Sequence, residues 1–283
     1  MHVLNLLPFG PLDYLDVDAI QRELHRQVAA LEAPDVLIAW EARGIYTAGR
    51  RTHDADIPDS SVPVIRMDRG GSVTYHGPGQ LVVYPIVKVR PPKDVVAFVR
   101  STELAVARAM ERSYGIHTQQ VAGRSGAWIV QPGQIDRKLC AIGIKFAREA
   151  TMHGLALNVS TDLNQFHRVI ACGLADADVA SLESLGISTS LSHVAATLLP
   201  ELASSYQRFL LRPDRCTGDL GVWRALHPEE VFAGPEEFAH MPQLDADEWI
   251  TAAPQLRAQQ ELPRVTGVAW RPSDHSGQTA TAS

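Results

Sequence analysis

The apolar positions of this chain fall into short runs set apart by glycine, proline and charge. Over residues 16–30, Ile20, Leu24 and Val28 recur at helical spacing with charged residues between them, which predicts an amphipathic helix ended by Ala33-Pro34. The run VLIAW at 36–40 is continuous and bounded by turn residues, the pattern of a buried strand. Residues 64–67 predict a second strand and 81–89 (LVVYPIVKV) a third, where Pro85 implies an edge position or an irregularity. After Pro91-Pro92, Asp94 suits a helix N-cap. The stripe Val95, Phe98, Val99, Val106 and Met110 carries that helix to about Tyr114, with Gly115 as its stop. Residues 127–130 and 139–146 flank Pro132-Gly133 as a hairpin, and 155–159 predicts a further strand. A helix is expected over 192–210, although Pro200 in its interior removes a backbone donor.

Strand segments with a few interspersed helices indicate an α+β fold rather than a regular βαβ repeat. The composition changes from Arg212 onward, so we expect a catalytic domain over 1–212 and a C-terminal extension over 213–283, with the Gly/Ser/Thr-rich end (267–283) disordered.

The chain has 283 residues and a net charge of −6, which argues against a general nucleic-acid binder. An acidic partner would need a local basic patch. Three widely spaced cysteines, Cys140, Cys172 and Cys216, suggest neither a disulfide framework nor a structural metal site. The start MHVLNLLPFGPLDYLD has no signal-peptide pattern, and no apolar stretch approaches the length of a membrane span. A cytoplasmic protein without membrane attachment is expected.

The chemistry-bearing segment is RGGSVTYHGPGQLVVYP, residues 69–85. Four glycines in its first twelve residues allow close backbone approach to a ligand, and exposed N–H groups there can hold a carbonyl or phosphate oxygen. A plain surface turn has the same composition. The segment is neither a Walker loop nor a glycine motif opening a helix, so nucleotide binding has no support. Of the cysteines, Cys172 in IACGLADADVASL has small neighbours that leave its sulfur reachable, whereas Cys140 lies mid-strand and suits packing. His76, His153 and His167 are the candidate bases by residue type alone.

RGGSVTYHGPGQLVVYP resembles the signature of the lipoate-biosynthesis octanoyltransferases, relatives of the biotin/lipoate protein ligases. Arg69, Gly70, Gly71, Thr74, His76, Pro78, Gly79, Gln80, Tyr84 and Pro85 all fall on that pattern. IYTAGR (45–50) is also similar, while Ala42-Arg43-Gly44 departs from a His-Pro-Pro-like run. CGLADADVASL is similar to the block whose cysteine carries the acyl group, with Ala180 replacing a usual Thr, so the resemblance gives Cys172 that role. DRKLCAIGIKFAREATMHGLALNVS is similar to a third block, in which the lysine matching Lys138 is the cysteine's companion. The resemblance covers about residues 35–185 and implies a mixed sheet with flanking helices.

For the substrate it implies Arg69, Gly70, Gly71, Ser72, Val73, Thr74, Tyr75 and His76 from the first block. Ala141, Ile142 and Gly143, with Gly154, Leu155 and Ala156, are implied as acyl-chain contacts. Asn158 is a candidate loop-fixing group. The implied reaction moves an octanoyl group from octanoyl-acyl carrier protein to a lysine of lipoyl domains in 2-oxoacid dehydrogenase subunits and the glycine cleavage H protein. It needs no ATP, metal or other cofactor, because the thioester is already activated. An ATP-dependent ligase on the same fold and a non-catalytic carrier-binding module are the alternatives.

Overall fold

The structure, a computed structural model, describes residues 1–57, 59, 61–170, 177–211, 241–260 and 265–266. Its centre is an eight-stranded sheet. The strands run in the order β1 (His2–Asn5), β2 (Val36–Trp40), β6 (Gln80–Ile86), β10 (Ala150–Asn158), β9 (Arg137–Ala147), β8 (Arg124–Ile129) and β7 (Gln119–Val121). β11 (Asp178–Val179) pairs with the start of β9, beyond the point where β10 ends opposite Cys140. A smaller sheet holds β12 (Val265–Thr266), β4 (Val64–Arg66), β3 (Ile45–Ala48) and β5 (Thr74–His76) in that order.

Helices cover both faces of the large sheet. α1 (Tyr14–Ala29) lies against β10 and β6, and α4 (Ala246–Gln259) packs on α1. α2 (Val95–Tyr114) and α3 (Leu191–Tyr206) pack together on the other face. The alternation of side chains along each strand therefore builds two cores. Leu37, Leu81, Val83 and Leu157 face α2 and α3, while Ile38, Trp40, Val82 and Tyr84 face α1.

Local signals explain most elements. Asp94 accepts a hydrogen bond from Ala97 N at 2.8 Å, and α2 stops at left-handed Gly115, as the sequence predicts. α1 begins two residues before its expected start because Asp13 is the cap, accepting from Leu15 N at 2.8 Å. The expected hairpin is β8 and β9. α3 runs through Pro200 rather than breaking there, since Leu198, Leu199, Leu202 and Ala203 on either side are fully buried. It ends at Tyr206, ahead of the expected 210.

Pro85 is not at an edge, because β6 has β2 on one side and β10 on the other. The alternative expectation, an irregularity, is what the ladder shows. Regular pairing with β10 begins only at Val83 opposite Leu155. Around Pro85 the Thr151 hydroxyl replaces it, donating to Pro85 O at 2.6 Å and accepting from Val87 N at 3.0 Å. Across this break His153 adopts φ +55. Gly154 lies so near that a Cβ there would meet Val83 O at 2.0 Å. Only glycine fits this approach.

Part of the extension beyond 212 belongs to the core. Met241 is buried, Gln243 bridges to Val3, and Arg257 reaches Asp16 at 2.9 Å and Asp13 at 3.5 Å. The stretches 212–240 and 267–283 lie outside the described residues.

Candidate active site

A cavity of about 310 Å³ opens between β5, β9, β10 and the loops that flank them. Exposure orders its lining. Arg51, His53 and Gly123 are exposed and form the mouth; Tyr14, His76, Tyr84 and His153 are buried and form the floor. Ala141, Ile142, Gly143, Gly154, Leu155 and Ala156 supply the middle, an apolar stretch with little side-chain bulk.

Of the first block, Arg69, Gly71, Ser72, Thr74 and His76 line the cavity. Val73 and Tyr75 are not among the residues that line it. Thr74 and His76 stand on one face of β5, so strand alternation sends their neighbours to the other. There Tyr75 packs on Tyr46 and Phe166, with ring centroids 5.1 and 5.7 Å apart, and Val73 joins the same buried cluster. Gly70 lines an adjoining groove instead.

Arg69 is anchored structurally. Its guanidinium donates to Thr47 O and Oγ1 at 2.5 and 2.9 Å and to Gly70 O at 2.9 Å, tying the glycine-rich loop to β3. Ser72 Oγ donates to Asp56 Oδ2 at 2.7 Å. Asp56 O in turn accepts from Ile170 N at 2.8 Å.

The polar side chains of the floor bond one another. His76 Nδ1 meets Gln80 Oε1 at 2.8 Å, while Gln80 Nε2 donates to Asn158 Oδ1 at 2.9 Å. The Gln80 amide orientation puts the His76 ring hydrogen on Nδ1. Burial pushes the His76 pKa down to about 3, helped by the Arg69 charge, so its imidazole is neutral and a weak base. Tyr84 donates to Tyr14 at 3.1 Å. Burial, then the charge of Asp18, pushes the Tyr14 phenol up to about 12.

His153 is held from three sides. Its backbone N donates to Gln21 Oε1 at 2.9 Å, which orients that amide so that Gln21 Nε2 faces His153 Nδ1 at 3.1 Å. The ring hydrogen then sits on Nε2 and goes to Asp68 Oδ1 at 2.8 Å. Lys145 binds the other carboxylate oxygen at 2.5 Å, and Arg22 lies 3.5 Å from Asp68. Burial works to raise the Asp68 pKa, but the bonds from His153 and Lys145 outweigh it and hold the carboxyl well below its usual range. With both ring nitrogens committed, His153 has no free lone pair for base catalysis. His167 is largely exposed, 3.6 Å from Asp178.

Lys138 is 7% exposed and lines the cavity, with its Nζ 4.5 Å from the centroid of the Trp128 indole. Gly126 makes the space for it. At φ +128, a Cβ there would lie 2.5 Å from Cys140 O and 3.3 Å from the Lys138 side chain. Cys140 is fully buried, and burial pushes its thiol pKa up to about 12, the packing role its strand position suggests.

Cys172 and Cys216 lie outside the described residues. The flanks of the Cys172 segment are described. Ile170 is bonded to Asp56 at one side of the cavity, and Val179 pairs with Lys138 at the other. Asn158 fixes the second flank by donating to Ala180 O at 2.9 Å, the loop-fixing role its position suggests. Tyr14, Gln21, Asp56 and Asp68 escape sequence reasoning because each is a lone polar residue on a distant element. Arg51 had a signal, as the neighbour of the IYTAGR run.

The chain matches the lipoyl protein ligase A/B catalytic domain over residues 13–203 and belongs to that family. It is 46% identical over 194 residues to an octanoyltransferase of Acidothermus cellulolyticus, covering 68% of this chain and 87% of that one. It is 41% identical over 226 residues to an octanoyltransferase of Corynebacterium jeikeium, covering 77% and 90%. Lipoate-protein ligase A bound with ATP superposes with a TM-score of 0.55 at 14% identity, over 92% of this chain and 96% of that chain. Protein Ta0514 of T. acidophilum with bound lipoic acid does so at 0.54 and 13%, over 91% and 95%. These two show a shared fold, the mixed sheet with helices on both faces that the sequence resemblance implies.

Proposed function

We propose that this chain transfers an octanoyl group from octanoyl-acyl carrier protein to a lysine of lipoyl domains, through a thioester on Cys172. The catalytic unit is residues 1–212 with 241–260 packed onto it. Among the described residues no helix is long and apolar enough to cross a membrane, and none form a metal-binding cluster.

The observation that carries the reading is Lys138, a buried cation on the wall of a small apolar cavity, on the strand that receives the chain just after the Cys172 segment. A cation beside a thiol favours the thiolate. The Cys172 thiolate attacks the octanoyl carbonyl, and the C–S bond to the carrier breaks as the tetrahedral intermediate collapses. The departing thiolate takes a proton from Lys138. The acceptor lysine amine then attacks the octanoyl-Cys172 carbonyl, passes its proton to Lys138, and expels the Cys172 thiolate. His76 and His153 belong to the floor and do not serve as bases, since the first is held neutral and the second is fully bonded. Backbone donors of the glycine-rich loop are suited to the oxyanion.

Intact-mass measurement after mixing with octanoyl-acyl carrier protein tests this. The wild type is expected to gain one octanoyl group and Cys172→Ala none. An adduct of equal yield on Cys172→Ala removes the cysteine from the mechanism.

A further inference from the structure

Beside the acyl cavity lies a second, more open groove of about 580 Å³. The two share Arg51, Gly71, Gly123, Arg124, Ser125, Ile142 and Gly143, so one runs into the other. Part of the groove is the first turn of α2, where Val95 is 44% and Val96 70% exposed. The charged part of its lining is mostly cationic. Arg50, Arg51, Arg100 and Arg124 line it against a single carboxylate, Glu103. That carboxylate is committed, accepting from Arg100 at 2.7 Å and from Gly126 N at 2.9 Å. Arg50 and Arg51 are exposed and form no ion pair among the described residues. Arg124 lies 3.8 Å from Asp136, so in a chain of net charge −6 it is Arg50 and Arg51, beside two exposed valines, that carry the local excess of positive charge.

We propose that this groove binds the 4′-phosphopantetheine arm of the donor carrier protein, guiding its thioester into the cavity. The proposal rests on the octanoyl-transfer reading above. Such an arm is a phosphodiester anion, a dimethyl-bearing carbon, two amides and a terminal sulfur. The phosphodiester pairs with Arg50, the dimethyl carbon packs on Val95 and Val96, and the thioester enters past Gly71 and Gly143. The charge selects this occupant over the acceptor. An acceptor lysine arrives as a cation with no anionic group along its side chain, and the arginines repel it.

The test compares binding of holo-acyl carrier protein, which bears the arm, with its apo form, using calorimetry on wild type, Arg50→Glu and Val96→Asp. Both substitutions are at exposed positions outside the acyl cavity. Wild type is expected to bind the holo form about tenfold more tightly, a difference of about 1.4 kcal/mol. Each variant should lose most of that preference. KM for octanoyl-acyl carrier protein should rise by a similar factor with kcat retained. Octanoyl-N-acetylcysteamine, a thioester without phosphate or dimethyl carbon, should serve wild type and variants equally. Equal binding of holo and apo carrier by wild type, or a preference kept by both variants, overturns the proposal. So does a variant that weakens lipoyl-domain binding and leaves the carrier untouched. A wild type that prefers the holo form yet gains no octanoyl adduct retires the transfer reading and leaves the groove assigned.

Discussion

The floor and the reactive wall of the cavity are built on opposite plans. On the floor, polar atoms are spent on one another. Tyr84 bonds Tyr14, His76 bonds Gln80, and His153 is bonded through both ring nitrogens. On the wall, Lys138 lies over the Trp128 ring. The attraction of an ammonium for a ring face is non-directional, whereas the contacts of the floor are directed hydrogen bonds. A floor whose polar groups mostly bond one another suits an alkyl chain, because an apolar ligand there displaces few protein–water hydrogen bonds. A wall that carries an ammonium group suits proton transfer. Both lie in one small cavity, so the difference is set by side-chain partners rather than by depth alone.

Removing the wall's cation should break this contrast most strongly. Lys138→Ala is expected to slow octanoyl transfer on the order of 10²–10⁴-fold, the usual contribution of a positioned proton donor. Single-turnover transfer from octanoyl-acyl carrier protein measures it. The melting temperature should stay near that of wild type, since the alanine can still pair with Trp128 on β8 and Val179 on β11 through its backbone. Transfer at the wild-type rate would move the proton carrier elsewhere, with His53 at the mouth the next residue to examine.

The two plans also differ in how far the sequence reveals them. The wall was legible, because Lys138, Ala141 and Gly143 come from one stretch of chain with a recognisable pattern. So were the helix over residues 95–114, from Asp94 and Gly115, and the hairpin at Pro132-Gly133. The floor was largely hidden. It is assembled from Tyr14 and Gln21 on α1, Asp68 before the glycine-rich loop and His153 on β10, and no local spacing joins them. Pro85 signalled the break that lets His153 turn, but an edge strand would give the same signal. Only the sheet order separates them. α4 was missed because its apolar face is thin and Pro254 lies within it, so its position depends on packing against α1 and on the Arg257 pairs.

Acid should sharpen the comparison by attacking the floor first. His76 has a folded pKa of about 3, below the 6.5 of an unperturbed histidine. The unfolded chain therefore binds a proton there that the folded chain refuses. Stability from this group is fully present above pH 6.5 and is lost as pH falls toward 3. The loss approaches about 1.4 kcal/mol per pH unit below 6.5. Urea unfolding at pH 7, 6 and 5 should show it, and His76→Gln should remove about one proton's worth of that slope. His2 and His25, whose pKa values burial also lowers, account for slope that remains. An unchanged slope in His76→Gln would mean that the ring is hydrated and protonates in place.

The smallest effect concerns the pair of phenols. Tyr84→Phe keeps the ring that packs edge-on against Trp40, 5.5 Å between centroids, and removes only the hydroxyl that donates to Tyr14. The expected cost is about 0.5–1.5 kcal/mol of stability, the net worth of one buried hydrogen bond. Its catalytic consequence separates two roles for the floor. If the floor serves only to exclude water from the alkyl chain, kcat for octanoyl transfer should hold and KM should shift by less than about threefold, because a phenyl edge is as apolar as the chain it meets. If instead the phenol pair fixes the cavity's length, the variant should take a longer acyl thioester nearly as well as the octanoyl one. Competing octanoyl and decanoyl donors in one reaction reads both outcomes. A loss of kcat comparable to that of Lys138→Ala would contradict the division of labour, because it would put reacting atoms at the floor.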